Sequence, residues 1–209
     1  MPHALVWGAA GGIGRALTKQ LASLGWHVHA VCRSQVRIEG AAQVVEADVA
    51  DSFAVHNAVL EIAQVVSDIQ LSIYAAGDIV AADCDSLPPE EWRRILDANL
   101  TGAYLTAHHS LPLLAIDAHL IFIGAVHERL RLPGLTAYAA AKAGLEAFAD
   151  ALRKEQRGKR VTVVRPGAVD TLFWRNVPFR LPKNALTPDA LADKVLAAHL
   201  EGSEGQLDL

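Results

Sequence analysis

Short apolar runs alternate along the chain with stretches whose apolar residues return every three or four positions. The runs are ALVW (4–7), HVHAVC (27–32), QVVEA (43–47), LSIYA (71–75), HLIFIG (119–124) and RVTVV (160–164), with EGQLDL as a last strand. Most are nearly continuous rather than alternating, as strands buried on both faces of a parallel sheet are. Between them, Ile13, Leu17, Leu21 and Leu24 share one helical face, which Gly25 ends. Ser52 is placed to cap a helix carrying Val55, Val59, Ile62 and Val66. The segment SLPPEEWRRILDANLTGAYLTAHH opens with prolines and acids in its first turn, and TPDALADKVLAAHL starts with Thr187 as N-cap and Pro188 at N1. This order predicts an α/β fold: a single doubly wound parallel sheet with helices on both faces, one domain over 1–209. The segment 170–189 holds three prolines and no periodicity, which predicts a functional or partly disordered loop.

Composition narrows the function classes. Half of the 209 residues are apolar (52%) and 20% are charged, an ordinary globular balance. The formal charge is −4 and no basic stripe is visible, so neither a nucleic acid nor an anionic membrane is expected as a partner. Cys32 and Cys84 make no disulfide framework and no CxxC pair, which fits a reducing, cytoplasmic setting. The start, MPHALVWGAAGGIG, lacks the charged region of a signal peptide. The longest apolar stretch is broken by Pro112, Asp117 and His119, too soon to span a bilayer. His108 and His109 are adjacent on a helix and diverge, so no metal site is expected.

Gly8, Gly12 and Gly14 fall at a strand-to-helix junction, spaced GxxxGxG. Glycines there permit a tight turn and close backbone approach to a pyrophosphate at a helix N-terminus. A plain turn needs glycines too, so position after the first strand and before an amphipathic helix carries the nucleotide reading. Further on, Tyr138 and Lys142 stand one helical turn apart among small residues, hence on one face. A phenol near pKa ~10 is a poor acid or base at neutral pH, and a neighbouring ammonium lowers that value. Such a pair suits proton delivery to a carbonyl oxygen.

With these motifs the chain resembles the short-chain dehydrogenases/reductases over nearly its whole length. GAAGGIG resembles their cofactor loop, Asp48 in EADVAD their adenine-binding aspartate, and YAAG (74–77) their NNAG segment. Asn99 in LDANLTGAY, AYAAAK and RPGAVDT (165–171) match their helix asparagine, YxxxK and PGxVxT. The resemblance implies a Rossmann fold and hydride transfer between a nicotinamide cofactor and a small-molecule carbonyl or alcohol. It implies Tyr138 as acid/base, Lys142 as cofactor and pKa partner, and Asn99 as a water-mediated relay to Lys142. It further implies cofactor contacts from Gly8, Gly12, Ile13, Gly14, Arg33, Ser34, Asp48, Val49, Ala76, Gly77, Lys142, Pro166, Gly167, Val169 and Thr171. A homodimer through the helices holding Asn99 and Tyr138 is also implied.

Two departures change the picture. NAD-preferring relatives carry an acid at the end of the second strand, where this chain has Cys32 followed by Arg33. Arginine suits a 2′-phosphate, so NADP is expected, with NAD possible and Arg33 stacking on adenine as the alternative role. Gly11 stands where NADP users often have a second basic residue. The family's catalytic serine falls about thirteen positions before the tyrosine in the usual spacing, which here is Ala125 in IFIGAVHERL. No serine lies between Ser110 and Ser203; His127 and Thr136 are the polar residues near enough to substitute, Thr136 being also a good N-cap. Ala125 keeps open an alternative: a catalytically weak dinucleotide-binding sensor or partner-binding module. Phe173, Trp174 and Phe179 form an apolar lid or pack the 170–189 loop down.

Overall fold

The structure, a computed structural model, describes residues 1–209. Seven strands form one sheet: β1 (His3–Trp7), β2 (His27–Cys32), β3 (Ala41–Glu46), β4 (Ile69–Tyr74), β5 (Leu114–Ile123), β6 (Arg160–Arg165) and β7 (Gly205–Asp208). Their order is β3-β2-β1-β4-β5-β6-β7 and every pairing is parallel. The order reverses between β1 and β4, so the connections leaving these two strands go to opposite sides. A crevice opens at their C-terminal ends, where doubly wound sheets bind ligands.

The continuous apolar runs are explained by two core layers. Leu5 and Trp7 of β1 face one side with Val55, Val59 and Ile62 of α2 (Ser52–Ala63), Ala103 and Ala107 of the 102–110 helix, and Leu145 and Ala149 of the 136–155 helix. Ala4 and Val6 face the other, with Leu17 and Leu21 of α1 (Gly12–Ser23) and Leu191 and Val195 of the 188–200 helix. Successive side chains of one strand enter different layers, so nearly every central-strand position is apolar; the buried exceptions include Ser72 on β4, His119 on β5 and Thr162 on β6, the last two hydrogen-bonded to each other at 2.8 Å. The remaining helices are α3 (Pro89–Leu96), α4 (Gly102–Ser110), α5 (Thr136–Glu155) and α6 (Pro188–Leu200). A π-helical turn, Asp97–Thr101, joins α3 to α4.

Local chemistry corrects the expected boundaries. The cap of α2 is Asp51, whose carboxylate accepts from Phe53 N (2.8 Å) and Ala54 N (3.2 Å). Ser52 is the first helical residue, and its hydroxyl meets His109 Nε2 at 2.9 Å. Thr136 opens α5 without capping it; the cap position is Leu135, which has no side-chain acceptor. Thr187 does cap α6, accepting from Ala190 N at 3.1 Å, with Pro188 at N1. Leu24 falls beyond α1 and is exposed, while Gly25 takes φ +83° in the turn. The 170–189 segment is ordered by a short 3-10 helix, Leu172–Asn176, and a parallel bridge from Val169 to Leu186.

Replacing Asp51 by alanine is expected to lower stability by about 1 kcal/mol, the usual worth of an N-cap. Ser52→Ala is expected to stay within about 0.5 kcal/mol. Urea titrations of both variants compare them; a larger loss for Ser52→Ala would return the cap to the serine.

Candidate functional site

The β1–α1 loop is built by what its glycines lack. Gly8 has φ +78°, and a Cβ there would stand 2.5 Å from Ala76 Cα in the segment after β4. A Cβ on Gly14 would stand 2.7 Å from Ala9 Cα, and one on Gly12 3.0 Å from Thr171 Cγ2. Gly8 N and Ala9 N both donate to Val31 O (2.9 and 3.0 Å), which ties the loop to β2. Residues 8–14, Ala76 and Thr171, separate in sequence, therefore meet around one concavity. No side chain caps α1 and no acid lies in its first turn, so its N-terminal N–H groups remain for an anion. Ile13 is half-buried against the second core layer. These features fit the pyrophosphate of a dinucleotide.

Past β2 and β3 lies a cleft of about 320 Å³ lined by Arg33, Asp48, Ala50, Asp78, Glu90, Arg93, Arg94, Asp97 and Ala98. Arg33, Ser34 and Asp48 are exposed, and Asp48 Oδ1 accepts from Ala50 N at 3.0 Å. Val49 is buried against the start of α4, near Gly102. Cys32 is buried, its thiol donating to Ser34 O at 3.1 Å, so no acid stands at the strand end. Arg94 pairs with Asp78 and Glu91 at the rim. A residue the sequence did not single out, Arg15, donates from Nε to Ala10 O (2.9 Å) and from Nη1 to Arg37 O (3.2 Å).

Tyr138 and Lys142 are both buried, at 9% and 5% exposure, with Lys142 Nζ 5.6 Å from the centre of the phenol ring. Lys142 donates to Ile123 O, at the end of β5, at 2.9 Å. Burial pushes Lys142 down to about 8 and pushes the Tyr138 phenol up. This corrects the expected lowering of the phenol by the ammonium. Desolvation outweighs their attraction, because the amine is drawn to a β5 carbonyl and both groups lie out of water.

Asn99 is fully buried within the π turn. Its Nδ2 donates to Asp78 O (2.7 Å) and Ile95 O (2.8 Å), while Oδ1 has no partner and faces Gly77, whose Cβ would stand 2.8 Å away. Tyr74 locks the turn, donating to Ala98 O at 2.8 Å; its oxygen would lie 2.5 Å from a Cβ on Gly102. A buried acceptor left open beside a backbone groove is a place for water or ligand.

Ala125 stands two residues past β5, half-buried, and offers no donor. His127 Nδ1 lies 3.0 Å from Glu146 Oε2, and Thr136 is exposed. Phe173 packs edge-on against Tyr138, centroids 5.8 Å apart, in an apolar cluster with Ile79, Ile95 and Leu135. Trp174 anchors that segment through Nε1 to Val169 O (2.8 Å), whereas Phe179 is exposed. Pro166 is buried and Gly167 N donates to Leu209 O at 2.9 Å, which binds the 166–169 stretch to the end of the chain. Val169 is buried in the second core layer.

Comparisons with known proteins agree with this geometry. The short chain dehydrogenase family profile matches residues 2–179. An oxidoreductase of Schizosaccharomyces pombe is 33% identical over 176 residues, covering 81% of this chain and 68% of the relative. The 3-oxoacyl-[acyl-carrier-protein] reductase of Mycobacterium tuberculosis is 31% identical over 186 residues, covering 87% and 75%. In fold, the ligand-free aldohexose dehydrogenase of Thermoplasma acidophilum superposes with TM-score 0.88 at 21% identity, covering 100% of this chain and 92% of that one. No helix is long and apolar enough to cross a membrane. A family match over most of the length, on a seven-stranded parallel sheet with a glycine cradle at its switch point, places this protein in the short-chain dehydrogenase/reductase family, whose members use a nicotinamide dinucleotide.

Proposed function

We propose that the protein transfers hydride between NADP(H) and a small carbonyl or alcohol with an apolar body. The observation carrying this reading is the buried Tyr138–Lys142 pair on the same crevice as the Gly8–Gly14 cradle. The cofactor supplies or accepts the hydride. Tyr138, kept neutral by burial, delivers the proton to the carbonyl oxygen, so carbonyl and reduced nicotinamide become alcohol and oxidised nicotinamide. Lys142 changes charge near neutral pH, which suits it to hold the cofactor ribose and return a proton to the phenol. The open Asn99 Oδ1 can accept from a water that continues the relay. Phe173 favours an apolar substrate body and must yield the face of Tyr138 that it covers. Arg33, with no acid at Cys32, supports NADP over NAD.

A second reading has one specific support: Ala125 supplies no hydroxyl to the substrate oxygen, as a dinucleotide-binding sensor would tolerate. We also propose a homodimer through α4 and α5, where Tyr104 is exposed and packs edge-on to Phe148 at 6.3 Å, and a cytoplasmic setting, given the free, exposed Cys84.

Titrations followed by tryptophan fluorescence should give tighter binding of NADPH than NADH. Arg33→Ala should weaken NADPH selectively, by about 1–3 kcal/mol for a lost charge-assisted contact. Equal loss for both cofactors would point to adenine stacking instead. Turnover on a panel of simple ketones and aldehydes, read by NADPH absorbance, should rise in Ala125→Ser and vanish in Tyr138→Phe. One oxyanion donor is worth roughly 10²–10³ in rate, and the gain should approach that range. No turnover in either wild type or Ala125→Ser, with NADPH still bound, would establish the sensor reading. Light scattering at micromolar concentration should give twice the chain mass, and a monomer there would remove the dimer.

A further inference from the structure

The chain holds nine histidines, and one pair lies behind the sheet with no part in the crevice chemistry. His119, on β5, is 1% exposed and faces the same side as Ile121 and Ile123, toward α6. Its Nδ1 lies 2.9 Å from Nδ1 of His199, in the last turn of α6, with the two rings tilted by only 21°. On its other side, His119 Nε2 lies 2.8 Å from Thr162 Oγ1 of β6. That hydroxyl donates to Ser203 O at 3.1 Å, in the turn before β7.

The carbonyl at the end of this chain of bonds sets its proton positions. Ser203 O can only accept, so Thr162 donates to it and accepts from His119 Nε2–H. A neutral His119 with its proton on Nε2 offers a lone pair at Nδ1, which takes the proton of His199 Nδ1. One proton therefore lies between the two Nδ1 atoms, and a second would set N–H against N–H across 2.9 Å. Nothing around the pair would offset that charge. Leu71 of β4 pairs beside His119, Trp26 meets His199 edge-on at 5.5 Å, and the charged neighbour is a cation, Arg160 of β6. Arg160 donates from Nη1 to His199 O at 3.0 Å, and its Nη2 stands 3.5 Å from His199 Nδ1. Burial first and Arg160 second hold His119 down to about 3 and His199 down to about 4.

The pair sits where α6 and β7 join the rest of the sheet, and these two elements also wall the cofactor crevice. Pro188, at the start of α6, lies 3.6 Å from where a Cβ on Gly12 would stand. Leu209 O, just past β7, accepts from Gly167 N at 2.9 Å. We propose that His119, His199 and Thr162 form an acid-sensitive latch, which holds α6 and β7 in place at neutral pH and loosens that wall of the crevice when the pair is protonated. Released imidazoles take protons near pH ~6.5, whereas the latched pair stays neutral to lower values. The stability contributed by the latch is therefore complete above about pH 6.5 and is lost as pH falls below it.

Amide hydrogen exchange of the full chain at pH 7 and pH 5, corrected for the intrinsic effect of pH, tests the latch. In wild type, protection of Gly167 N and Leu209 N should fall about tenfold or more at the lower pH, while Ala75 N, bonded to Trp7 O between β1 and β4, falls less. The variant His119→Gln/His199→Asn keeps amide groups for Thr162 and for the shared contact but removes both titrations. Its Gly167 and Leu209 amides should change by no more than about twofold between the two pH values. In urea titrations its folded-to-unfolded ratio should fall less steeply with acid than that of wild type, by about tenfold per pH unit for each histidine removed. Should the double variant fail to fold at pH 7, His199→Asn alone, at the half-buried position, makes the same comparison with half the change in slope. An undiminished acid response in the folded variant would overturn the latch. So would wild-type amides that keep their protection at pH 5, or an equal loss at Ala75, which would make the pair a determinant of the whole fold rather than of α6 and β7.

Discussion

The site depends on backbone meeting backbone at the switch between β1 and β4. Gly8, at φ +78°, lies so close to Ala76 that no Cβ can be placed there without moving one of the two strands. Gly14 lies equally close to the loop it follows. These contacts set how near α1 starts to the end of β4, and so the width of the crevice. Thr171 comes against Gly12 from the far side of the same crevice. Added side-chain volume at any of these positions would open a gap that the two core layers, packed on both faces of β1, could not close.

Around that crevice the polar side chains are held by backbone carbonyls rather than by one another. Tyr138 and Lys142 share a face of α5, yet the lysine bonds to Ile123 O and the phenol lies under Phe173. Burial favours the neutral form of each, which keeps the tyrosine protonated and uncharged and brings the lysine to about 8. Phe173 is part of the environment of the phenol.

Much of the fold was legible because its signals are local. Buried parallel strands read as continuous apolar runs, and the β–α alternation gave the sheet, including the last strand at EGQLDL. What escaped depends on single atoms or on distant partners. Asp51 and Ser52 are both good caps, and only φ/ψ decides which one stands outside the helix. The π turn at Asp97–Thr101 adds one residue to a helical repeat, a change too small for periodicity to register, though it is where Asn99 lies. The expected site residues Gly8, Gly12, Gly77, Asn99, Tyr138 and Lys142 lie at the C-terminal ends of the central strands β1, β4 and β5. The lysine's carbonyl partner, Phe173 over the phenol, and the bond from Arg15 to Arg37 O all come from contacts 19 or more residues apart, which no spacing rule encodes.

The loop that carries Ala125 shows how the chain holds this edge without a serine. Arg165, buried at the end of β6, reaches Glu128 (3.2 Å), Glu146 (3.1 Å) and Asp208 (2.8 Å), and Glu146 in turn binds His127 (3.0 Å) and Gln206 (2.6 Å). One guanidinium thus joins the loop after β5, helix α5 and the edge strand β7. Removing it would leave Glu146, only 14% exposed, without its cation, the costly direction for a partly buried pair. His127 is a member of this network through Nδ1, which helps to position the loop. The backbone on which Ala125 sits is therefore fixed from behind by ion pairs. A hydroxyl added at that position would be carried by an already rigid loop, which is the condition under which a single new donor can act on a substrate oxygen.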